Sequence, residues 1–174
     1  MVNANPTAPI DNNFGPNYVV QLSAVNTPVG IIAFASDPNG PAVTYSLTND
    51  AGGRFAINST TGVVTVTNAS LINYESASSH LITVVANDGS GNSPSTDFLI
   101  SVTNVAPSPP TDGNLAINMV LQGAANASSA GVTASASDPN GGTLTYSLTN
   151  DAGGRFAIDG TTGIVTVANG SLLN

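Results

Sequence analysis

Thr44-Tyr45-Ser46-Leu47-Thr48-Asn49-Asp50-Ala51-Gly52-Gly53-Arg54-Phe55 returns unchanged at residues 145–156, an offset of 101 residues. The same offset carries Ser36-Asp37-Pro38-Asn39-Gly40 onto Ser137-Asp138-Pro139-Asn140-Gly141 and Thr60-Thr61-Gly62 onto Thr161-Thr162-Gly163. It also carries Ser70-Leu71-Ile72-Asn73 onto Ser171-Leu172-Leu173-Asn174. Solenoid repeats run to about 50 residues, so this period belongs to whole domains joined in series. Nothing in the second copy corresponds to Tyr74 through about Val105. The expected domains are residues 10–106 and an incomplete 107–174. They meet in the stretch Asn104-Val105-Ala106-Pro107-Ser108-Pro109-Pro110-Thr111-Asp112-Gly113, whose prolines favour extended, stiff backbone.

Between the turn-forming stretches, apolar residues alternate with a period of two, the pattern of half-buried strands. The first copy is expected to hold seven: 18–22, 29–35, 42–47, 54–57, 63–66, 80–86 and 97–103. Asp37-Pro38-Asn39-Gly40, Asn49-Asp50-Ala51-Gly52-Gly53, Ser59-Thr60-Thr61-Gly62 and Asp88-Gly89-Ser90-Gly91-Asn92 separate them. These stretches are rich in residues that accept positive φ or bond their own backbone. No helical stripe is present. Seven short strands in about 100 residues predict an all-β, two-sheet Greek-key sandwich of the immunoglobulin-like type. The second copy is expected to reach only the fifth strand, lacking the last two. That leaves Tyr146, Leu148, Phe156, Ile158, Val165 and Val167 short of packing partners.

Composition narrows the function. Ten acidic residues against two arginines, Arg54 and Arg155, give a net charge of −8, and 7% of residues are charged where roughly 25% is usual. Nucleic acid requires clustered cations to displace its counterions, and an anionic membrane surface does likewise. Both are excluded as partners. No apolar run approaches the roughly 20 residues of a membrane span. Without lysine there is no side-chain amine nucleophile; without cysteine there is no disulfide or thiolate site. Hydrophobic residues at 41% suffice for a core. The start, Met1-Val2-Asn3-Ala4-Asn5, has no basic and apolar leader. A mature segment, an excised fragment or another export route accounts for that.

Five motifs in order resemble those of cadherin-type repeats, best of all the bacterial cadherin-like form of large secreted adhesins. They are Tyr45-Ser46-Leu47; Phe55-Ala56-Ile57-Asn58; Thr61-Gly62-Val63-Val64; Leu71-Ile72-Asn73-Tyr74-Glu75; and Val84-Val85-Ala86-Asn87-Asp88-Gly89. The resemblance implies calcium at the junction between successive domains. Asn73 and Glu75 match the family's Asp-Arg-Glu motif, Asn104 its linker ligand, and Asp138 and Asn140 its Asp-x-Asp. Asp37, Asn39 and Asp88 would form half a site at the start of the first copy. Several of the family's carboxylates are amides here, and calcium takes six to eight oxygens, several of them charged. A weak site is expected. The rival reading is that Asp37 and Asp138 cap turns, since Asp-Pro-Asn-Gly is a turn sequence in its own right; Asp88-Gly89 reads the same way.

Other residues read as structural. His80, without a second histidine or a cysteine, builds no transition-metal site and is expected to be exposed. Arg54 and Arg155 are expected to bond a turn carbonyl or Asp50 and Asp151 rather than a sugar carboxylate. Tyr18, Tyr45, Tyr74 and Tyr146 make a poor sugar platform without tryptophan. The Asn-x-Ser/Thr triplets at Asn58, Asn68, Asn126 and Asn169 suit chance in so Asn-, Ser- and Thr-rich a chain. No nucleophile has an evident base, so no enzyme is expected. These readings give an extracellular, secreted, non-catalytic adhesion or biofilm-matrix module whose partners are copies of itself or neighbouring repeats. The alternatives are a polysaccharide-binding accessory module of a secreted enzyme and a filament subunit completed by strand swapping between chains.

Overall fold

The structure, a computed structural model, describes residues 3–40 and 42–174; Met1 and Val2, which open the stretch read for a leader, and Pro41 lie outside the described residues. The chain divides after Val105 into two compact units.

The first unit holds β1 (Ile10–Asp11), β2 (Tyr18–Val20), β3 (Pro28–Phe34), β4 (Thr44–Asn49), β5 (Phe55–Ile57), β6 (Val63–Val66), β7 (Ser79–Asn87) and β8 (Thr96–Thr103). All seven expected strands are present. β1 is additional: two residues show no alternation to read, and its pairing of Ile10 with Phe34 is set by the tertiary fold. Two four-stranded sheets form, β1-β3-β6-β5 and β2-β8-β7-β4. β7 and β8 pair antiparallel from Ser79 with Ser101 to Val84 with Thr96. β2 joins β8 in parallel and β4 joins β7 antiparallel.

Alternation places one side of each strand between the sheets. Ile82, Val84 and Ala86 of β7, with Phe98, Ile100 and Val102 of β8, close over Val29, Ile31, Ala33, Phe55, Val64 and Val66. The turns obey local chemistry. Asn58 Oδ1 accepts the N–H groups of Thr60 and Thr61. Gly62 follows at φ 70°, where an added Cβ would collide with the Ala33 carbonyl, so glycine alone fits.

The second unit forms β9 (Thr111–Asp112), β10 (Ser129–Ser135), β11 (Phe156–Ile158) and β12 (Ile164–Val167). Among the described residues they make one sheet, β11-β12-β10-β9. This corrects the expectation of five strands. Residues 119–121 and 145–150 keep the sequence pattern of β2 and β4 but are not strands. Among the described strands of the first unit, β2 pairs only with β8, and β4 only with β7. Without those two partners, strand propensity does not make a ladder. Val165 and Val167 are nevertheless buried, contrary to expectation; the Ala127 N–H donates to the Val167 carbonyl and the Val167 N–H to the Ser128 carbonyl. Tyr146, Leu148, Phe156 and Ile158 are half-buried. Leu115, Ile117, Met119 and Leu121 are exposed.

The duplicated core supplies its own control. Phe55 is 2% exposed in the core between the two sheets, whereas Phe156 lines an open cavity of about 230 Å³. Phe55→Ala is expected to destabilise the first unit by about 3–5 kcal/mol, and Phe156→Ala to cost the second distinctly less. Denaturant titration of both variants checks this.

Candidate functional site

Three of the eight predicted ligands converge at one pole of the first unit. In the turn between β3 and β4, Asp37 Oδ1 accepts the Asn39 N–H at 2.6 Å. Asn39 Oδ1 in turn accepts the Ala4 N–H at 2.6 Å. In the loop between β7 and β8, Asp88 Oδ1 accepts from the N–H groups of Ser90 and Gly91. Its Oδ2 accepts from Asn3 Nδ2 at 2.7 Å. Asn5 Nδ2 donates to the Asn92 carbonyl. Residues 3–5 thus tie the Asp37–Asn39 turn to the Asp88 loop. Asp37 Oδ2 is shielded from water and has no hydrogen-bond partner, an arrangement a carboxylate oxygen adopts at a cost unless a further partner meets it.

Asn73, Glu75 and Asn104 gather at the other end. β8 spans eight residues, roughly 25 Å, from the Asp88 loop to Asn104. Asn73 Oδ1 accepts the Ser76 N–H, and Glu75 and Asn104 are exposed. The sequence reading missed the residue that organises this pole. Gln21 is 2% exposed; its Oε1 accepts the Tyr74 N–H and its Nε2 donates to the Val105 carbonyl. The legible signal was a polar residue just past β2, in phase with the buried Val19. Asn3 was missed too, although it stands one repeat before Asn104.

Asp138 and Asn140 lie in the second unit. Asp138 Oδ1 accepts the Asn140 N–H at 3.0 Å and the Gly142 N–H at 3.4 Å. These bonds make Asp138 a turn former, as the bond from the Asn39 N–H makes Asp37 in the first unit.

The arginines bond turn carbonyls as expected. Arg54 Nη1 donates to Ala51 and Nε to Leu71; Arg155 repeats both bonds with Ala152 and Leu172. Each clips its turn to a short 3-10 segment, the first leading into Asn73. Tyr45 and Tyr146 turn their hydroxyls inward to the N–H groups of Ala35 and Ala136, which removes them from any sugar platform. The expectation of an exposed His80 is overturned. The histidine is half-buried, tilted against Phe55 with ring centroids 6.1 Å apart, because it shares the inward face of β7 with Ile82. Among the described residues no group of three or more His, Cys, Asp or Glu side chains is placed to hold a metal. No helix among them is long and apolar enough to cross a membrane.

The model of the cadherin domain matches residues 18–104. The chain belongs to the cadherin domain family. Cadherin-related family member 1a of Danio rerio is 29% identical over 169 residues, covering 90% of this chain and 19% of that protein. Cadherin-related family member 1 of Xenopus laevis is 26% identical over 172 residues, again 19% of its length. The chain therefore spans about a fifth of the curated relatives it matches. Among solved structures, mouse cadherin-23 EC22-24 superposes with a TM-score of 0.57 at 22% identity, covering 97% of this chain and 55% of that one. Drosophila N-cadherin EC1-4 gives 0.58 at 18%, covering 99% and 42%. These likenesses establish the cadherin β-sandwich fold.

Two titrations test this cadherin chain. The Asn3 side chain, followed by the Ser90 and Gly91 N–H groups, holds Asp88 down to about 2 from 3.8. A carboxylate depressed in the folded state stabilises above its unfolded pKa and loses that contribution as pH falls toward the folded value. Asn3→Ala is expected to move the Asp88 midpoint upward, read from its carboxyl carbon by NMR. Burial, then the Arg54 charge, lowers His80 below 6.5. The unfolded chain therefore binds more protons just below that value, and stability falls as pH drops through it. In denaturant midpoints between about pH 8 and about pH 5, His80→Asn is expected to lose this part of the slope.

Proposed function

We propose that this chain is a non-catalytic, extracellular adhesion segment of a long bacterial surface or biofilm-matrix protein, with cadherin-like units serving as spacers and contacts between copies or neighbouring repeats. Its sparse charge and its Ser-, Thr- and Asn-rich surface suit a stalk that faces water. The function rests on the poles, where calcium would join chain segments. One observation carries this reading: the Asp37 turn, the Asp88 loop and residues 3–5 meet at a single pole, with Asp37 Oδ2 shielded and lacking a hydrogen bond. The donor set fits calcium in kind, being all oxygen and including two carboxylates. It is short in number, since calcium takes six to eight oxygens; oxygens from a preceding repeat would complete it. Asp37, Asp88, Asn39 and the amides of Asn3 and Asn5 would hold this half. When bound, the ion supplies a cross-link between oxygen ligands and nothing chemical. The residues themselves fix segment 3–5 against the unit through hydrogen bonds. At the other pole Glu75, Asn73 and Asn104 supply one carboxylate and two amides. Asp138 and Asn140 supply one carboxylate and one amide from the second unit. Amides in place of carboxylates make the affinity low.

A melt with calcium and with chelator tests this. A native state that binds the ion preferentially is stabilised by it, so calcium is expected to raise the melting temperature by several degrees. The rise should vanish in a variant carrying Asp37→Asn and Asp88→Asn together. Identical melts with calcium and chelator would leave these residues as turn formers.

The second reading, completion of the second unit by strands from outside it, is favoured by its open apolar face. A cavity of about 380 Å³ is lined by Val132, Ala134, Leu144, Tyr146, Leu148 and Ile158 among others. Such a face and its unpaired strand edges recruit added strands. Light scattering over a concentration series is expected to show assemblies larger than one chain. A monomer throughout, with residues 115–174 sensitive to protease, removes this reading.

A further inference from the structure

Three Asn-Gly pairs occur: Asn39-Gly40, Asn140-Gly141 and Asn169-Gly170. A glycine with no Cβ lets its nitrogen approach the preceding asparagine side chain, and their surroundings differ. We propose that Asn39 is a deamidation site, and that its conversion adds a third carboxylate to the pole formed by Asp37, Asp88 and residues 3–5.

In the step, the Gly40 nitrogen bonds to Asn39 Cγ and the amide nitrogen leaves as ammonia, giving a cyclic imide. Water then adds to one imide carbonyl. Cleavage of the bond between Cγ and the Gly40 nitrogen gives aspartate; cleavage of the main-chain bond gives isoaspartate. Water is the sole co-reactant, and no oxidation state changes.

The turn is arranged for this. Asn39 is exposed, and its Oδ1 accepts the Ala4 N–H at 2.6 Å, which draws electron density from Cγ and supports charge developing on that oxygen. Gly40 stands at φ 91° with nothing within 4 Å of where a Cβ would be. Its N–H is held by a single turn bond of 3.2 Å to the Asp37 carbonyl. Asn169-Gly170 is the opposite case. Gly170 is buried, its N–H donates to Asn126 Oδ1 at 2.8 Å, and a Cβ there would collide with the Ala124 carbonyl. Asn169 Oδ1 is occupied as the N-cap of a 3-10 turn. Ring closure at Asn169 requires packed backbone to move; at Asn39 it requires the loss of one turn bond. Asn140-Gly141 shares the open glycine, but Asn140 is half-buried.

The new carboxylate would lie beside Asp37, whose Oδ1 holds the Asn39 N–H, and its bond from Ala4 would become charge-assisted. Tighter calcium binding at this pole rests on the calcium reading above. The test ages the full chain at mildly alkaline pH and maps its peptides by mass spectrometry. The amide-to-acid mass gain is expected to accumulate severalfold faster at Asn39 than at Asn169, and equal rates would overturn the assignment. The calcium consequence is read separately: N39D is expected to show a larger calcium-induced melting shift than the parent chain. Equal non-zero shifts overturn that consequence alone, and no shift in either protein overturns the calcium reading, while the mass data still decide the modification.

Discussion

The β7–β8 ladder is the interaction on which a complete sandwich depends. It pairs Ser79 through Val84 with Thr96 through Ser101, offers β4 and β2 their only hydrogen-bonded partners in the sheet, and lays Ile82, Val84, Phe98 and Ile100 over the opposite sheet. The second unit shows what the ladder contributes, because a second copy of the repeat, with residues 44–55 unchanged, is present without it. One sheet survives, held by β10–β12 pairing; the other does not form. Local preference for extended backbone is thus conditional on a partner strand, whereas turns and cross-strand pairs of the surviving sheet are not.

The same ladder places the poles. A loop at one end of β8 carries Asp88 and the residue after its other end is Asn104, so the candidate ligands of the first unit are separated by the length of the strand. Each pole is organised by hydrogen bonds that reach far along the chain: Asn3 and Ala4 at one, Gln21 at the other. A charged group at these ends is held by N–H donors, which is why Asp88 stays ionised well below the usual carboxylate range. An exact-offset arginine clip in both units, Arg54 and Arg155, fixes the turn preceding β5 and β11 whether or not the second sheet is present.

Sequence alone determined the all-β class, the duplication, the seven strands of the first unit, the turn at Asp37-Pro38-Asn39-Gly40 and the bonding of both arginines to turn carbonyls. Each of these is local or periodic: alternation names the buried side of a strand, and a short polar side chain bonds backbone two or three residues away. The nearness of Asp37, Asn39 and Asp88 was legible only through family resemblance, because their separation along the chain carries no distance. What tertiary structure decided was everything that rests on a distant partner. It added β1, set the parallel pairing of β2 with β8, turned His80 inward, recruited Gln21 and Asn3 to the poles, and dissolved two strands of the second unit whose residues read as strands. A ladder bond needs two chains side by side, and one-dimensional order records only one of them.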